Sequence, residues 1–227
     1  MLNEFSTTRV AILCSKRAPG LDELLRHPQR DKLFEIACVI STERRFQDHD
    51  QIEAAGVPVL LHPIESWKAM DVRSEYDAIT AEMLKALNVD VVVLLGYVYI
   101  LTDSMLSAFP DRIFNIHDSD LTLRDVEGKR RYVGLHSTRD AIVQGERETR
   151  SSLHMVTSEL DGGPVLFVSD TYPVSPMIED ACRWGASNII SAYAFAHREW
   201  MMRDTWGQLV ARVLEYLAAG YAIEVSA

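Results

Sequence analysis

Cysteine is nearly absent from this chain. Its 227 residues include 3, Cys14, Cys38 and Cys182, and no two of them form a CxxC pair. That scatter excludes a disulfide framework, and the apolar neighbours of each cysteine predict buried, reduced thiols. Positive charge is short as well: 23 Lys and Arg stand against 33 Asp and Glu, for a net charge of −10. Nucleic-acid binders present a basic face, so this balance argues against such partners and leaves only local basic clusters able to hold a single phosphate. No segment approaches the roughly 20 apolar residues of a membrane span. The apolar run within MLNEFSTTRVAILCSKR is also too short for a signal-peptide core. Neither repeats nor a low-complexity linker interrupt the chain, so one compact cytoplasmic domain over residues 1–227 is expected.

What is present is an alternation of strand and helix signals. VAILCS (Val10 to Ser15), a Pro-Gly turn and LDELLRH read as strand, loop and helix. FEIACVIST repeats the strand signal, and GVPVLLHP offers a third short strand opened by Gly56 and closed by Pro63. From Val72 to Leu87, Tyr76, Ile79, Met83, Leu84 and Leu87 recur at helical spacing, which predicts an amphipathic helix packed on a sheet. DVVVLLGYVYIL, residues 90–101, is apolar almost throughout, as expected of a central parallel strand buried on both faces. RIFNIH supplies another strand.

This order predicts an α/β fold, a doubly wound and mostly parallel Rossmann-like sheet whose ligands bind beyond the carboxyl ends of the strands. After Ile142 the pattern changes. SSLHMVT and PVLFVSDTYPV flank LDGG as a C-terminal hairpin, and Met177 to Leu217 is helical in composition. The expected catalytic core spans residues 10–174, with a helical extension over 175–227.

The segment FNIHDSDL places Asn115 and His117 two residues apart at a strand end, so both side chains leave the same face toward the crevice. An amide donor and an imidazole so placed can stabilise an oxyanion and move a proton, as acyl transfer to an amine requires. A hydrogen-bonded structural histidine fits the same spacing. Asp161 lies in ELDGGP, where two glycines allow a tight turn and close approach of a ligand to the backbone. A hairpin turn capped by its own Asp fits that segment equally.

The ordered set DVVVLLGYVYIL, FNIHDSDL, GLHSTRDAI and SSLHMVTSELDGGPVLFVSDTYPV resembles the folate-dependent formyltransferases across about Val10 to Val174. The resemblance implies a formyltransferase fold and an enzyme that moves a formyl group from 10-formyltetrahydrofolate to a primary amine, with no metal and no covalent enzyme intermediate. Asn115 and His117 would stabilise the developing oxyanion, and Asp161 would organise His117 or a water and relay the proton. The folate ring would sit against Tyr97, Val98, Tyr99, Ile100 and Leu101 and the backbone from Val156 to Leu160. Plain core packing is the competing reading for Ile100 and Leu101. The partner is a small amine, with glycinamide ribonucleotide of purine biosynthesis the nearest candidate. An amino-sugar nucleotide, a natural-product amine, water as acceptor, or a folate-binding module without activity remain alternatives, as do a monomer and a homodimer.

Two departures from that family mark the acceptor side. Members acting on a phosphorylated acceptor carry a glycine-rich GNGSN segment after the first strand, whereas this chain reads KRAPG. Lys16 and Arg17 supply charge there, but Pro19 lacks a backbone donor. After His117 the connection HDSDLTLRDVEGKRRYVGLH is longer than the family's by about eight residues, and long loops in compact domains are functional or disordered. Arg124, Lys129, Arg130 and Arg131 on it are read either as acceptor ligands or as part of a solvated insertion.

The remaining candidates divide between site and scaffold. His136 is expected near the folate pocket, or at a helix start with Ser137 and Thr138 as caps. His154 reads as a satisfied core histidine. Trp184, Trp200 and Trp206 with Tyr193, Phe195, Met201 and Met202 read mainly as packing, with a lid or a dimer surface as alternatives.

Overall fold

The computed structural model describes residues 7–65 and 70–221. Along the chain it runs β1 (Thr8–Cys14), α1 (Leu21–Leu25), β2 (Phe34–Ser41), α2 (His49–Ala54), β3 (Val59–Leu61), α3 (Met70–Ala86), β4 (Val91–Leu94), α4 (Asp103–Ala108) and β5 (Ile113–His117). It continues with α5 (Ser137–Val143), β6 (Glu148–Thr149), β7 (Ser152–Met155), β8 (Val165–Val168), β9 (Tyr172–Pro173), α6 (Ile178–Arg183) and α7 (Ser187–Ala218). Seven strands form one sheet in the order β3-β2-β1-β4-β5-β7-β8, and β6 pairs with β9 beside it. The first five are parallel, while β7 and β8 join antiparallel as the hairpin around LDGG. The expected doubly wound, mostly parallel α/β sheet is the observed one.

Alternation along the strands sorts the core into two layers. Val10 and Ile12 of β1, Val91 and Val93 of β4, and Phe114 and Ile116 of β5 face α7, meeting Met202, Trp206, Val210, Val213 and Leu214. Ala11, Leu13, Val92, Leu94 and Ile113 face the other way, onto Ala81 and Leu84 of α3 and Met105 and Phe109 of α4. Strands buried on both faces must be apolar at every position, which is why they read as continuous hydrophobic runs. The C-terminal α7 therefore covers one face of the central strands. Its separation from α6 falls at Gly185, whose φ of +64° ends α6 in the left-handed conformation that glycine adopts without steric cost.

Two expectations change. The run from Asp90 to Leu101 is not one strand: β4 stops at Leu94, and Gly96, at φ +70°, turns the chain out of the sheet. A side chain at Gly96 would come within 2.8 Å of the Arg17 carbonyl, so the turn and the loop after β1 are in close contact. Residues 97–102 thus form a loop. On α3 the buried face is Arg73, Tyr76, Asp77, Thr80, Ala81 and Leu84, while Ile79 is exposed. Polar groups win that face because the 97–102 loop needs partners. Arg73 Nη2 donates to the Ile100 carbonyl at 2.7 Å, and Asp77 Oδ2 accepts the Thr102 N–H at 2.6 Å. Buried backbone groups without such partners are costly, so this polar pair is a structural requirement of the loop.

Candidate active site

In an open α/β sheet the crevice for ligands lies where neighbouring strands send their connections to opposite sides. Here that point falls between β1 and β4, and a cavity of about 420 Å³ opens beside it. Its lining includes Tyr97, Val98, Tyr99, Ile100 and Leu101 from the loop after β4, Asn115 and His117 from β5, His154 from β7, and Val156, Leu160 and Asp161. Every catalytic and folate-contacting residue expected from the sequence therefore lines one cavity. Val98, Ile100 and Leu160 are about half exposed, at 50%, 48% and 52%, and form its apolar wall.

Antiparallel register builds the polar floor. Pairing of β5 with β7 sets His154 directly opposite Asn115, and cross-strand neighbours on one face interact. Asn115 Nδ2 lies 3.1 Å from His154 Nε2, while His154 Nδ1 lies 2.8 Å from the Met155 carbonyl. The carbonyl fixes the proton on Nδ1, so Nε2 accepts from the Asn115 amide. Burial pushes the His154 pKa down to about 4, which keeps the ring neutral and the acceptor intact near pH 7. One amide hydrogen of Asn115 is thereby held, and the second is left for a ligand.

His117 is oriented in the same manner. Its Nε2 lies 3.2 Å from the Tyr132 carbonyl, which makes Nε2 the donor, and its Nδ1 lies 3.5 Å from Asp161 Oδ2. Asp161 Oδ1 is 3.7 Å from His154 Nε2. Asp161 has φ +49°, a left-handed conformation rare for residues other than glycine. Three contacts hold it there: the Gly134 N–H donates to Oδ2 at 2.8 Å, and the Arg130 guanidinium donates to the carbonyls of both Asp161 and Gly163.

The long segment after His117 thus folds back onto the constellation. Tyr132 is buried and offers its carbonyl to His117 and to the Ser119 hydroxyl, Arg130 clamps the LDGG turn, and Arg131 pairs with Glu146 at 2.6 Å. Neither Arg130 nor Arg131 lines the cavity, and within the insertion Tyr132 is buried while residues 124–129 and Val133 are exposed. Arg130 was drawn to the turn because its carbonyls lack other donors. Ser137 and Thr138 are likewise not helix caps: their hydroxyls donate to the side chain and the carbonyl of Asp118. His136 is exposed and lines the cavity mouth.

Asp118 is the buried anion of the site. Burial pushes its carboxyl up, yet the Arg198 guanidinium and His117 outweigh that and hold it below the usual carboxylate range. Arg198, from α7, is a cavity-lining residue without a sequence signal of its own. Among the described residues no cluster of His, Cys, Asp and Glu is arranged to hold a metal ion, and no helix is long and apolar enough to cross a membrane. Lys16 is exposed and lies outside this cavity, while Arg17 grips the Glu199 carboxylate.

Fold and site together define a doubly wound α/β protein with an amide, an imidazole and a carboxylate converging beside β5 and the turn between β7 and β8. The chain belongs to the formyl transferase family: the model described as Formyl transferase matches residues 8–181. It is 35% identical over 159 residues to the formyltetrahydrofolate deformylase of Bacillus subtilis, across 70% of this chain and 48% of that one. Over 98 residues it is 40% identical to the phosphoribosylglycinamide formyltransferase of Escherichia coli, across 43% of this chain and 42% of that protein. The chain thus matches about half the length of each of these relatives. Among solved structures, glycinamide ribonucleotide transformylase 1 from Symbiobacterium toebii superposes with a TM-score of 0.73 at 25% identity, covering 96% of this chain and 91% of the other.

Proposed function

We propose that this protein transfers the formyl group of 10-formyltetrahydrofolate to a small amine, by direct attack and without a covalent enzyme intermediate. The observation that carries this reading is the convergence of Asn115, His117 and Asp161 on the floor of a cavity walled by Val98, Ile100 and Leu160. Half-exposed aliphatic side chains suit a flat heterocycle, which buries them and is buried by them. The bound folate supplies a one-carbon acyl group on a nitrogen that leaves as an amine.

The chain's own residues supply the rest. The free amide hydrogen of Asn115 donates to the acyl oxygen as negative charge builds there, a charge-directed contact fixed in advance by His154. His117 Nδ1 and Asp161 Oδ2, 3.5 Å apart, hold and pass the proton that the attacking amine loses. Tyr132 and Gly134 keep both groups in register, so little reorganisation is left for the reacting moment.

Water in place of the amine is the second reading, favoured by the 35% identity to the Bacillus subtilis deformylase. One assay separates them: incubation with 10-formyltetrahydrofolate and a panel of primary amines, following release of tetrahydrofolate. Release that depends on an amine is the expected result. Equal release without any amine moves the assignment to hydrolysis, and no release under any condition refutes both.

A further inference from the structure

The loop that leaves β1, residues 15–20, lines no part of the cavity of about 420 Å³ but packs on the loop that walls it. It is tied to the loop after β4: the Ser15 N–H donates to the Gly96 carbonyl at 3.2 Å, and the Val98 N–H reaches Ser15 Oγ at 3.4 Å. A turn in this position commonly receives a phosphate through free backbone N–H groups and glycine flexibility. Two of its backbone positions are closed to such a ligand. Pro19 has no N–H, and the Ala18 N–H already donates to Asp48 Oδ2 at 3.2 Å.

Two of the cations beside it, Arg17 and Arg198, are engaged as well, while Lys16 is exposed and lines neither cavity. Arg17 holds the Glu199 carboxylate of α7 with two parallel hydrogen bonds, the strongest pairing a guanidinium makes. That contact keeps the Glu199 carboxyl below its ordinary range, so the pair stays ionised. One residue earlier on α7, Arg198 is matched to Asp118. A smaller cavity of about 200 Å³ borders Arg17, with Asp22 and Asp48 among its lining residues, so the charge facing it is acidic once Arg17 is paired.

Nor can the loop open easily. Gly20 lies against Gly207 of α7, and a Cβ at Gly20 would stand 2.5 Å from the Gly207 nitrogen. A phosphate entering here would have to displace carboxylates that already satisfy the local donors, while facing their negative charge.

Resting on the formyl-transfer reading, we infer that the acceptor is a small amine bearing no phosphate ester, and that Glu199 and Asp48 enforce this by occupying the donors an acceptor phosphate would need. They act on specificity through Arg17 and the Ala18 N–H. Exclusion by like charge is an effective way to reject a wrong ligand, since juxtaposed like charges oppose its binding.

The test has two arms on the full chain. In the first, inorganic phosphate is titrated calorimetrically into the wild type, Glu199→Gln and Asp48→Asn. Wild type should show no binding at millimolar phosphate, and at least one variant should gain it, with the affinity rising about tenfold or more as Arg17 or the Ala18 N–H is released. Phosphate binding by the wild type that Arg17→Met abolishes overturns the inference. Failure of both folded variants to gain any binding removes Glu199 and Asp48 as its cause and overturns it too. In the second arm, kcat/KM for tetrahydrofolate release is compared for glycinamide ribonucleotide and its dephosphorylated counterpart. Preference for the unphosphorylated amine is expected, and preference for the phosphorylated one refutes the proposal. If no amine supports turnover, it is the formyl-transfer reading that fails, and the calorimetric arm still decides whether this loop excludes phosphate.

Discussion

The two cavities on either side of the contact between the loops after β1 and β4 are built on opposite principles. On the folate side, aliphatic side chains stand half exposed around a cavity of about 420 Å³, unsatisfied until something apolar covers them. Around the smaller cavity, Arg17 and the Ala18 N–H are matched internally, to Glu199 and Asp48. One cavity is complementary to a large ligand, the other to itself. Open apolar surface is where a ligand gains affinity, and the polar floor of Asn115, His117 and Asp161 lies in that same larger cavity.

The largest expected effect comes from that floor. His117→Ala removes the group that exchanges protons with Asp161, so kcat for tetrahydrofolate release should fall by ~10²–10⁴, the usual range for a general acid–base residue. Folate affinity should stay within about threefold, because the apolar wall is untouched. Equilibrium binding of the folate alongside steady-state kinetics distinguishes the two quantities. A loss of affinity matching the loss of rate would mean that His117 belongs to the binding wall instead.

That floor was legible in the sequence to a definite extent. Asn115 and His117 share a face because strand side chains alternate, and Asp161 sits in a glycine turn: both are properties of a few consecutive residues. What escaped is what topology brings together from afar. Arg130 reaches the Asp161 carbonyl across 31 positions, Arg198 reaches Asp118 across 80, and Arg17 reaches Glu199 across 182. No local pattern encodes such pairs. His154 is intermediate: it reads as a core histidine and is buried with both ring nitrogens engaged, yet antiparallel register puts it opposite Asn115. The LDGG turn fixes the register of β7 with β8 only; the β5–β7 register that sets His154 opposite Asn115 spans a long connection and no local turn encodes it. The overlong strand through Leu101 failed for a different reason, since hydrophobicity alone cannot tell a buried strand from a loop that waits for a ligand.

A second, smaller effect tests how the folate wall is held up. Arg73 and Asp77 are almost fully buried beneath the 97–102 loop, with 3% and 0% of their side chains exposed. Arg73→Met leaves the Asp77 carboxylate without its cation and the Ile100 carbonyl without its donor. Breaking a buried pair from one side costs about 3 kcal/mol, so the thermal midpoint should drop by about 6–12 °C for a domain of this size. The loop should also bind folate less tightly in the variant that remains folded. A midpoint within a degree of wild type would show that the loop supports itself.

The smallest effect is the one that isolates the comparison. Ile100 is 48% exposed and lines the cavity, so Ile100→Ala takes away apolar surface that the folded protein alone does not bury. At roughly 25 cal/mol per Å² of apolar area, losing about 40 Å² of ligand contact is worth about 1 kcal/mol, or a folate Kd about fivefold higher. The thermal midpoint without folate should not move, because no core contact is lost. At Leu101, which is buried, the same truncation should lower stability and affinity together. If Ile100→Ala behaved like Leu101→Ala, the exposed wall would be ordinary core viewed from its edge. If it separates affinity from stability as expected, the half-exposed residues after Gly96 are there for the ligand.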